Sequence, residues 1–255
     1  MPHENDNKTA KIKKMIAIMS GKGGVGKSTV SALLATHLKR LGYTVGLLDG
    51  DIKGPSIPRM FGVSGPLEKD AHGLIPAISP AGIKIMSMNL LLEHEDDPVI
   101  WRGPVVSGVL KQFWNDVNWG ELDYLLIDFP PGTGDVQLTA MQSFVLDGVI
   151  MVTSPQSLVQ MIVGKGVNLT NKFSVPIFGL IENMSYVKCP DCGKEIFIFG
   201  ESKAKTTAEK YDIDLLAQLP IDPELSKLSD NGKIERFESK TFKEIAHLIA
   251  TKDCQ

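Results

Sequence analysis

Gly21-Lys22-Gly23-Gly24-Val25-Gly26-Lys27-Ser28 sets glycines, a lysine and a hydroxyl at the spacing of a phosphate-binding loop. Glycines let successive backbone N–H groups turn inward around phosphate oxygens. Lys27 then reaches the β- and γ-phosphates, and the Ser28 hydroxyl is placed to ligate Mg²⁺. Asp128 follows the apolar run Tyr124-Leu125-Leu126-Ile127, so a buried strand would fix it as a second Mg²⁺ partner, with a helix cap or turn residue as the plainer alternative. Asp49 and Asp51 end another apolar run; Asp49 reads as structural, and Asp51 as either a switch carboxylate or a solvated turn residue. These residues imply that the chain binds a nucleoside triphosphate.

A second chemistry lies far along the chain. Cys189-Pro190-Asp191-Cys192-Gly193 offers two thiolates at a spacing that can grip one soft metal centre. A tetrahedral site needs four ligands, and the remaining cysteine, Cys254, lies in the terminal tail. The economical source of the missing pair is the same knuckle in a second subunit, which implies a homodimer. Zinc and iron–sulfur clusters share thiolate ligands, so the residues alone leave both open.

The elements that must hold these residues alternate. Met15 to Met19 reads as a buried strand feeding the loop, and Ser28 to Leu41 has helical spacing before Gly42 stops it, so the helix N-terminus faces the phosphates. Strands are expected at Thr44–Leu48, Ile83–Leu90, Tyr124–Ile127, Gly148–Thr153, Ile177–Ile181 and Asp214–Leu219, with a β-like stretch at Ile196–Phe199. Helices are expected at Gly103–Val117, Gln156–Lys172 and Lys240–Thr251. This pattern implies an α/β three-layer sandwich with a mostly parallel sheet and ligands at the strands' carboxyl ends. Phe129-Pro130-Pro131-Gly132-Thr133-Gly134-Asp135, with its prolines and glycine pivots, suits a segment that changes conformation with the γ-phosphate.

Composition fits such a domain: 255 residues, 43% hydrophobic and 22% charged. Residues 1–13 are expected to form a disordered polar tail ahead of a single domain over 14–255. A net charge of −3 gives no global reason for a nucleic-acid partner, and no apolar run approaches a membrane span. Three cysteines do not make a disulfide framework, which points to a reducing cytoplasm.

The string Lys22-Gly23-Gly24-Val25-Gly26-Lys27-Ser28-Thr29 resembles the deviant Walker A of the dimeric ATPases that include MinD, ParA and the nitrogenase iron protein. That resemblance implies that Lys22 acts across a dimer on the partner's nucleotide, much as an arginine finger does, and that Asp51 orients the attacking water. From Met15 to the last helix the chain also resembles the Mrp-type (ApbC-like) iron–sulfur cluster carrier ATPases. The matching stretches are Asp49-Gly50-Asp51-Ile52-Lys53-Gly54-Pro55-Ser56-Ile57-Pro58, Asp128 to Asp135, and Glu182-Asn183-Met184-Ser185 followed by the paired cysteines. The resemblance implies slow ATP hydrolysis and a [4Fe–4S] cluster held by Cys189 and Cys192 between two subunits for transfer to apo-proteins. It also implies that Asn183 meets the adenine and the loop at Pro220 closes over the base. Two departures stand out: Glu201-Ser202-Lys203 replaces a glycine-rich run, and no cysteine precedes Cys189. An apolar stripe of Phe242, Ile245, Leu248 and Ile249 keeps a membrane-attached, MinD-like organiser in view, although such a stripe more often packs on its own domain.

Overall fold

The computed structural model describes residues 10–51, 54–92, 103–132, 134–155 and 159–252. Cys254, most of the expected tail, Ile52, Lys53, Thr133 and the start of the helix expected from Gln156 lie outside the described residues. β1 (Lys11–Met19) leads into the glycine loop and α1 (Lys27–Arg40) leaves it. Next come β2 (Val45–Asp49) and the short α2 (Ile57–Phe61). β3 (Lys69–Asp70) and β4 (Gly73–Leu74) form a small separate hairpin, and β5 (Ala77–Ile78) runs antiparallel to β6 (Lys84–Met86). α3 (Gly103–Asn115), β7 (Glu121–Asp128), α4 (Asp135–Ser143), β8 (Gly148–Thr153) and α5 (Val159–Lys172) complete the middle of the chain. β9 (Ile177–Lys188), β10 (Glu195–Ile196), α6 (Ala204–Lys210), β11 (Leu215–Pro220), α7 (Pro223–Asp230) and α8 (Lys240–Thr251) follow.

Among the described residues the main sheet has nine strands in the order β10-β9-β8-β1-β7-β2-β6-β5, with β11 also paired to β9. All neighbours in its centre are parallel; only the margins, β5 and β10, are antiparallel. Side chains alternate between two apolar layers because strand period is two. Met15, Ala17 and Met19 pack with Phe113, Met141 and Val163 on one side, whereas Ile16 and Ile18 pack with Leu33, Leu34, Leu38 and Phe242 on the other. Both faces are therefore covered by helices, which is why the central strands read as unbroken apolar runs. The expected three-layer α/β sandwich is the one observed.

Several element boundaries differ for physical reasons. β1 begins at Lys11, inside the segment expected to be tail, because its first residues alternate exposed and half-buried at the strand's polar entry. The strand expected over Ile83–Leu90 stops at Met86, and Met88–Leu91 turns as a 3₁₀ helix. β9 runs well past Ile181, to Lys188: polar Glu182, Asn183 and Ser185 interrupt its apolar run, yet β11 supplies the pairing that keeps it extended. In the stretch Ile196–Phe199 only Ile196 is strand; the rest turns, with Gly200 N–H donating to Phe197 C=O at 3.1 Å. α8 buries Phe242, Ile245 and Ile249 but leaves Leu248 exposed, so the predicted stripe is a packed face with one residue outside it.

Candidate functional site

The parallel strands deliver their carboxyl ends to one edge of the sheet, where β1 opens into residues 20–26. The loop's shape depends on particular glycines. Gly24 and Gly26 have φ of 77° and 76°, a left-handed conformation that costs other residues strain. Gly26 is also the N-cap of α1, and a Cβ there would lie 2.1 Å from Asn183 Nδ2. At Gly21 a Cβ would meet Ile162 Cγ2 at 2.1 Å. Gly23 has ordinary contacts only, Val25 is buried, and Lys22 is exposed.

Below the loop sits a compact charge cluster. Lys27 and Asp128 are both buried, with Lys27 Nζ 2.7 Å from Asp128 Oδ2. The approach angle makes this an ion pair without a proper hydrogen bond. Asp128 is held by hydroxyls instead: Ser28 Oγ donates to its Oδ2 at 2.6 Å and Ser31 Oγ to its Oδ1 at 2.7 Å. Asp49 is its neighbour across the β2–β7 register and equally buried. Asp49 accepts from Asp51 N–H at 3.2 Å, Ile57 N–H at 3.3 Å and Ser87 Oγ at 3.1 Å. Burial first, and the Asp128 charge second, push the Asp49 carboxyl up to about 7, against the pull of Lys27 and those N–H donors. Among the described residues one cation thus faces two buried carboxylates, so the second binds its proton more tightly than an ordinary carboxyl does.

Four buried side-chain polar atoms among the described residues lack a hydrogen-bond partner: Ser20 Oγ, Lys27 Nζ, Gln137 Oε1 and Glu182 Oε1. Ser20 and Lys27 flank the loop, and Gln137 Nε2 reaches it, donating to Pro130 C=O at 2.7 Å and to Ser20 C=O at 3.4 Å. Unsatisfied groups gathered at one spot are what a polar ligand site leaves behind. Gln137 and Ser31 carry no sequence signal of their own: α4 lacks a clear apolar rhythm, and Ser31 lies one turn beyond the loop motif. Gly132 N–H donates to Ser20 C=O at 2.9 Å, so the proline- and glycine-rich segment after β7 rests directly on the loop.

Beside α1 a cleft of about 260 Å³ is lined by Thr29, Asn183, Tyr186, Lys188, Pro220 and Phe237, among others. Asn183 and Pro220 therefore meet in one cavity next to the loop. Asn183 Nδ2 also donates to Val25 C=O at 3.0 Å, joining β9 to the loop backbone. Asp51 is half-buried and tethered through its N–H to Asp49, at the mouth of the charge cluster.

Cys189 and Cys192 occupy the tip of the β9–β10 hairpin, where Cys189 N–H donates to Lys194 C=O at 2.9 Å and Gly193 N–H to Cys189 C=O at 2.9 Å. Both are free thiols, Cys189 half-buried and Cys192 exposed. The N–H of Cys192, then that of Asp191 and the Cys192 thiol, hold the Cys189 thiol below its ordinary range, favouring the ligating thiolate. Ile196, Phe197, Ile198 and Phe199 beside them are all exposed. Among the described residues no group of three or more His, Cys, Asp or Glu gathers to hold a metal, so the hairpin offers two ligands by itself.

The family model for ParA-type NUBPL iron-transfer P-loop NTPases matches residues 11–252. The iron–sulfur cluster carrier protein of Clostridium perfringens is 48% identical over 234 residues, covering 89% of this chain and 82% of the relative. That of Methanocaldococcus jannaschii is 46% identical over 250 residues, covering 95% and 86%. A solved nucleotide-binding protein from Archaeoglobus fulgidus, in complex with ADP and with cobalt found, superposes with a TM-score of 0.82 at 44% identity, covering 91% of each chain. MinD of Pyrococcus horikoshii with Mg-ADP shares the fold at a TM-score of 0.68 and 24% identity, covering 94% and 97%. The chain belongs to the NUBPL-type family of iron-transfer P-loop NTPases.

Proposed function

We propose that this protein binds and slowly hydrolyses ATP and carries a [4Fe–4S] cluster as cargo between two identical subunits, for delivery to apo-proteins. One observation carries the reading: a cysteine pair with only two ligands of its own sits at the end of the strand whose Asn183 grips the phosphate loop. The relatives named above as iron–sulfur cluster carriers support the same cargo.

In this reading Gly21 to Thr29 cradle the phosphates, and Lys27 swings from Asp128 to the β- and γ-phosphates. Asp51 orients the attacking water and the partner's Lys22 neutralises charge as the γ-phosphoryl departs. Asn183 and Pro220 hold the adenine in the cleft. The Ser28 hydroxyl and the Asp128 carboxylate are hard oxygen donors already directed at one another, a set that suits Mg²⁺, and they would hold it. When bound, that ion supplies charge neutralisation at the phosphates. We assign the protein to the cytoplasm, where its thiols stay reduced. No helix among the described residues is long and apolar enough to cross a membrane. The buried face of α8, with Phe242 5.7 Å from His37 between ring centroids, disfavours an organiser that uses this helix as a membrane anchor.

Zinc is the second reading for the same thiolates, since the hairpin is also a zinc-knuckle sequence. Anaerobic purification followed by iron, sulfide and zinc analysis separates the two. Iron and sulfide in equal amounts are expected; stoichiometric zinc without sulfide would replace the cluster with a structural metal.

A further inference from the structure

β9 belongs to two sites at once. Asn183, Tyr186 and Lys188 line the cleft beside α1, and Cys189 follows Lys188 directly. Strand alternation alone would send Asn183 and Tyr186 to opposite faces. Met184, at φ 57°, breaks that alternation and turns both toward the cleft. Tyr186 is then fixed from two directions. Its C=O accepts from Ile221 N–H at 2.8 Å, beside Pro220, its register partner on β11. Its ring stands 6.1 Å from that of Phe197, and Lys188 Nζ lies 5.9 Å from its centroid.

Phe197 follows the return arm of the cysteine hairpin. Val187 pairs with Ile196 and Lys188 with Glu195, one rung below the Cys189–Lys194 hydrogen bond. Tyr186 therefore touches the cleft on one side and the arm that closes the cysteine loop on the other. Whatever packs on Tyr186 in the cleft thus bears on its contact with Phe197, and through Phe197 on the arm that closes the cysteine loop.

Building on the proposed carrier function, we infer that Tyr186 is a positioning residue coupling the two sites, so that nucleotide in the cleft strengthens metal binding at Cys189 and Cys192. Linkage makes the effect reciprocal: metal on the thiols strengthens nucleotide binding by the same factor. A ligand shifts such an equilibrium only through contacts that differ between the two states, and the Tyr186–Phe197 pair is the contact to which we assign that difference.

The test uses Co²⁺ as the metal probe on the reduced full-length protein, anaerobically, with Mg²⁺ in excess to occupy the nucleotide phosphates. The thiolate-to-cobalt absorption band is titrated with and without ADP, and Cys189→Ser serves as the control for binding elsewhere. ADP is expected to tighten cobalt binding by about five-fold or more. Phe197→Ala, which leaves the cleft untouched, should remove this factor, as should Tyr186→Ala; Tyr186→Phe should keep it. ADP is held at saturation for each variant, so that a general loss of ADP affinity leaves the ratio unchanged. An unchanged cobalt affinity with ADP, or a factor preserved in both alanine variants, overturns the coupling alone. A band that never forms, or that persists in Cys189→Ser, overturns the cysteine site and the coupling with it.

Discussion

Gly24→Ala and Gly26→Ala make a matched pair, because the two φ angles are 77° and 76° while their surroundings differ. A left-handed alanine costs about 1–2 kcal/mol at either position. At Gly24 nothing lies within 4 Å of the new Cβ, so that strain is the whole expected effect. At Gly26 the Cβ would fall 2.1 Å from Asn183 Nδ2, so the amide must leave and its 3.0 Å hydrogen bond to Val25 C=O breaks. A buried amide and carbonyl deprived of each other add about 1–3 kcal/mol. The expected losses in unfolding free energy are therefore roughly 1–2 kcal/mol for Gly24→Ala and roughly 2–5 kcal/mol for Gly26→Ala. Urea denaturation of the nucleotide-free protein measures both. Asn183→Ala in the Gly26→Ala background removes the collision, so a double-mutant cycle should recover about 1–3 kcal/mol of coupling. Equal destabilisation by the two glycine substitutions, or additive effects of Gly26→Ala and Asn183→Ala, would refute the claim that Asn183 buttresses the loop.

Lys27→Ala should abolish hydrolysis and also lower stability by about 3–5 kcal/mol, because Asp128 stays buried without its cation; denaturation run beside the ATPase assay separates the two losses. Asp51→Asn should keep nucleotide binding in calorimetry yet lose turnover, since water positioning acts in the reaction step; unchanged turnover would remove Asp51 from catalysis. Lys22→Ala subunits mixed with Asp51→Asn subunits should regain part of the activity that each lacks alone, and failure to do so would place both residues in one active site of one chain. Burial, with Arg40 adding to it, holds the His37 imidazole below its ordinary 6.5. The unfolded chain then binds the extra proton first, so the stability His37 contributes is complete above about 6.5 and lost as pH falls toward the lowered value. His37→Gln should flatten that slope as pH falls below about 6.5 in urea midpoints.

The sheet's centre was legible because it is buried on both faces: Met15–Met19, Tyr124–Ile127 and Gly148–Thr153 leave little choice but buried strands. The loop was legible because its chemistry is local, with glycines, Lys27 and Ser28 adjacent in the chain. What stayed hidden depends on register between distant strands. Asp49 reads as structural, and two of its three hydrogen bonds do hold the residues that follow it, Asp51 and Ile57, but only the β2–β7 pairing buries it beside Asp128, where burial and then that charge raise its carboxyl. Ser31 gains Asp128, and Gln137 gains the Ser20 carbonyl, from segments far away in the chain. β9 hid its second half because polar Glu182, Asn183 and Ser185 interrupt the apolar run that marks a buried strand. Asn183 and Pro220 came from resemblance alone; their shared cleft forms only once β11 pairs with β9.

The central claim is that two cysteine hairpins meet around one cluster. Native mass spectrometry of the anaerobically reconstituted protein weighs that assembly directly. The expected species is a dimer carrying one cluster of about four irons and four sulfides. Cys189→Ser should remove the cluster, because each substitution takes two of the four thiolates, while nucleotide binding by the separate loop survives. A monomer carrying a whole cluster, or a dimer that retains it after Cys189→Ser, would contradict the account.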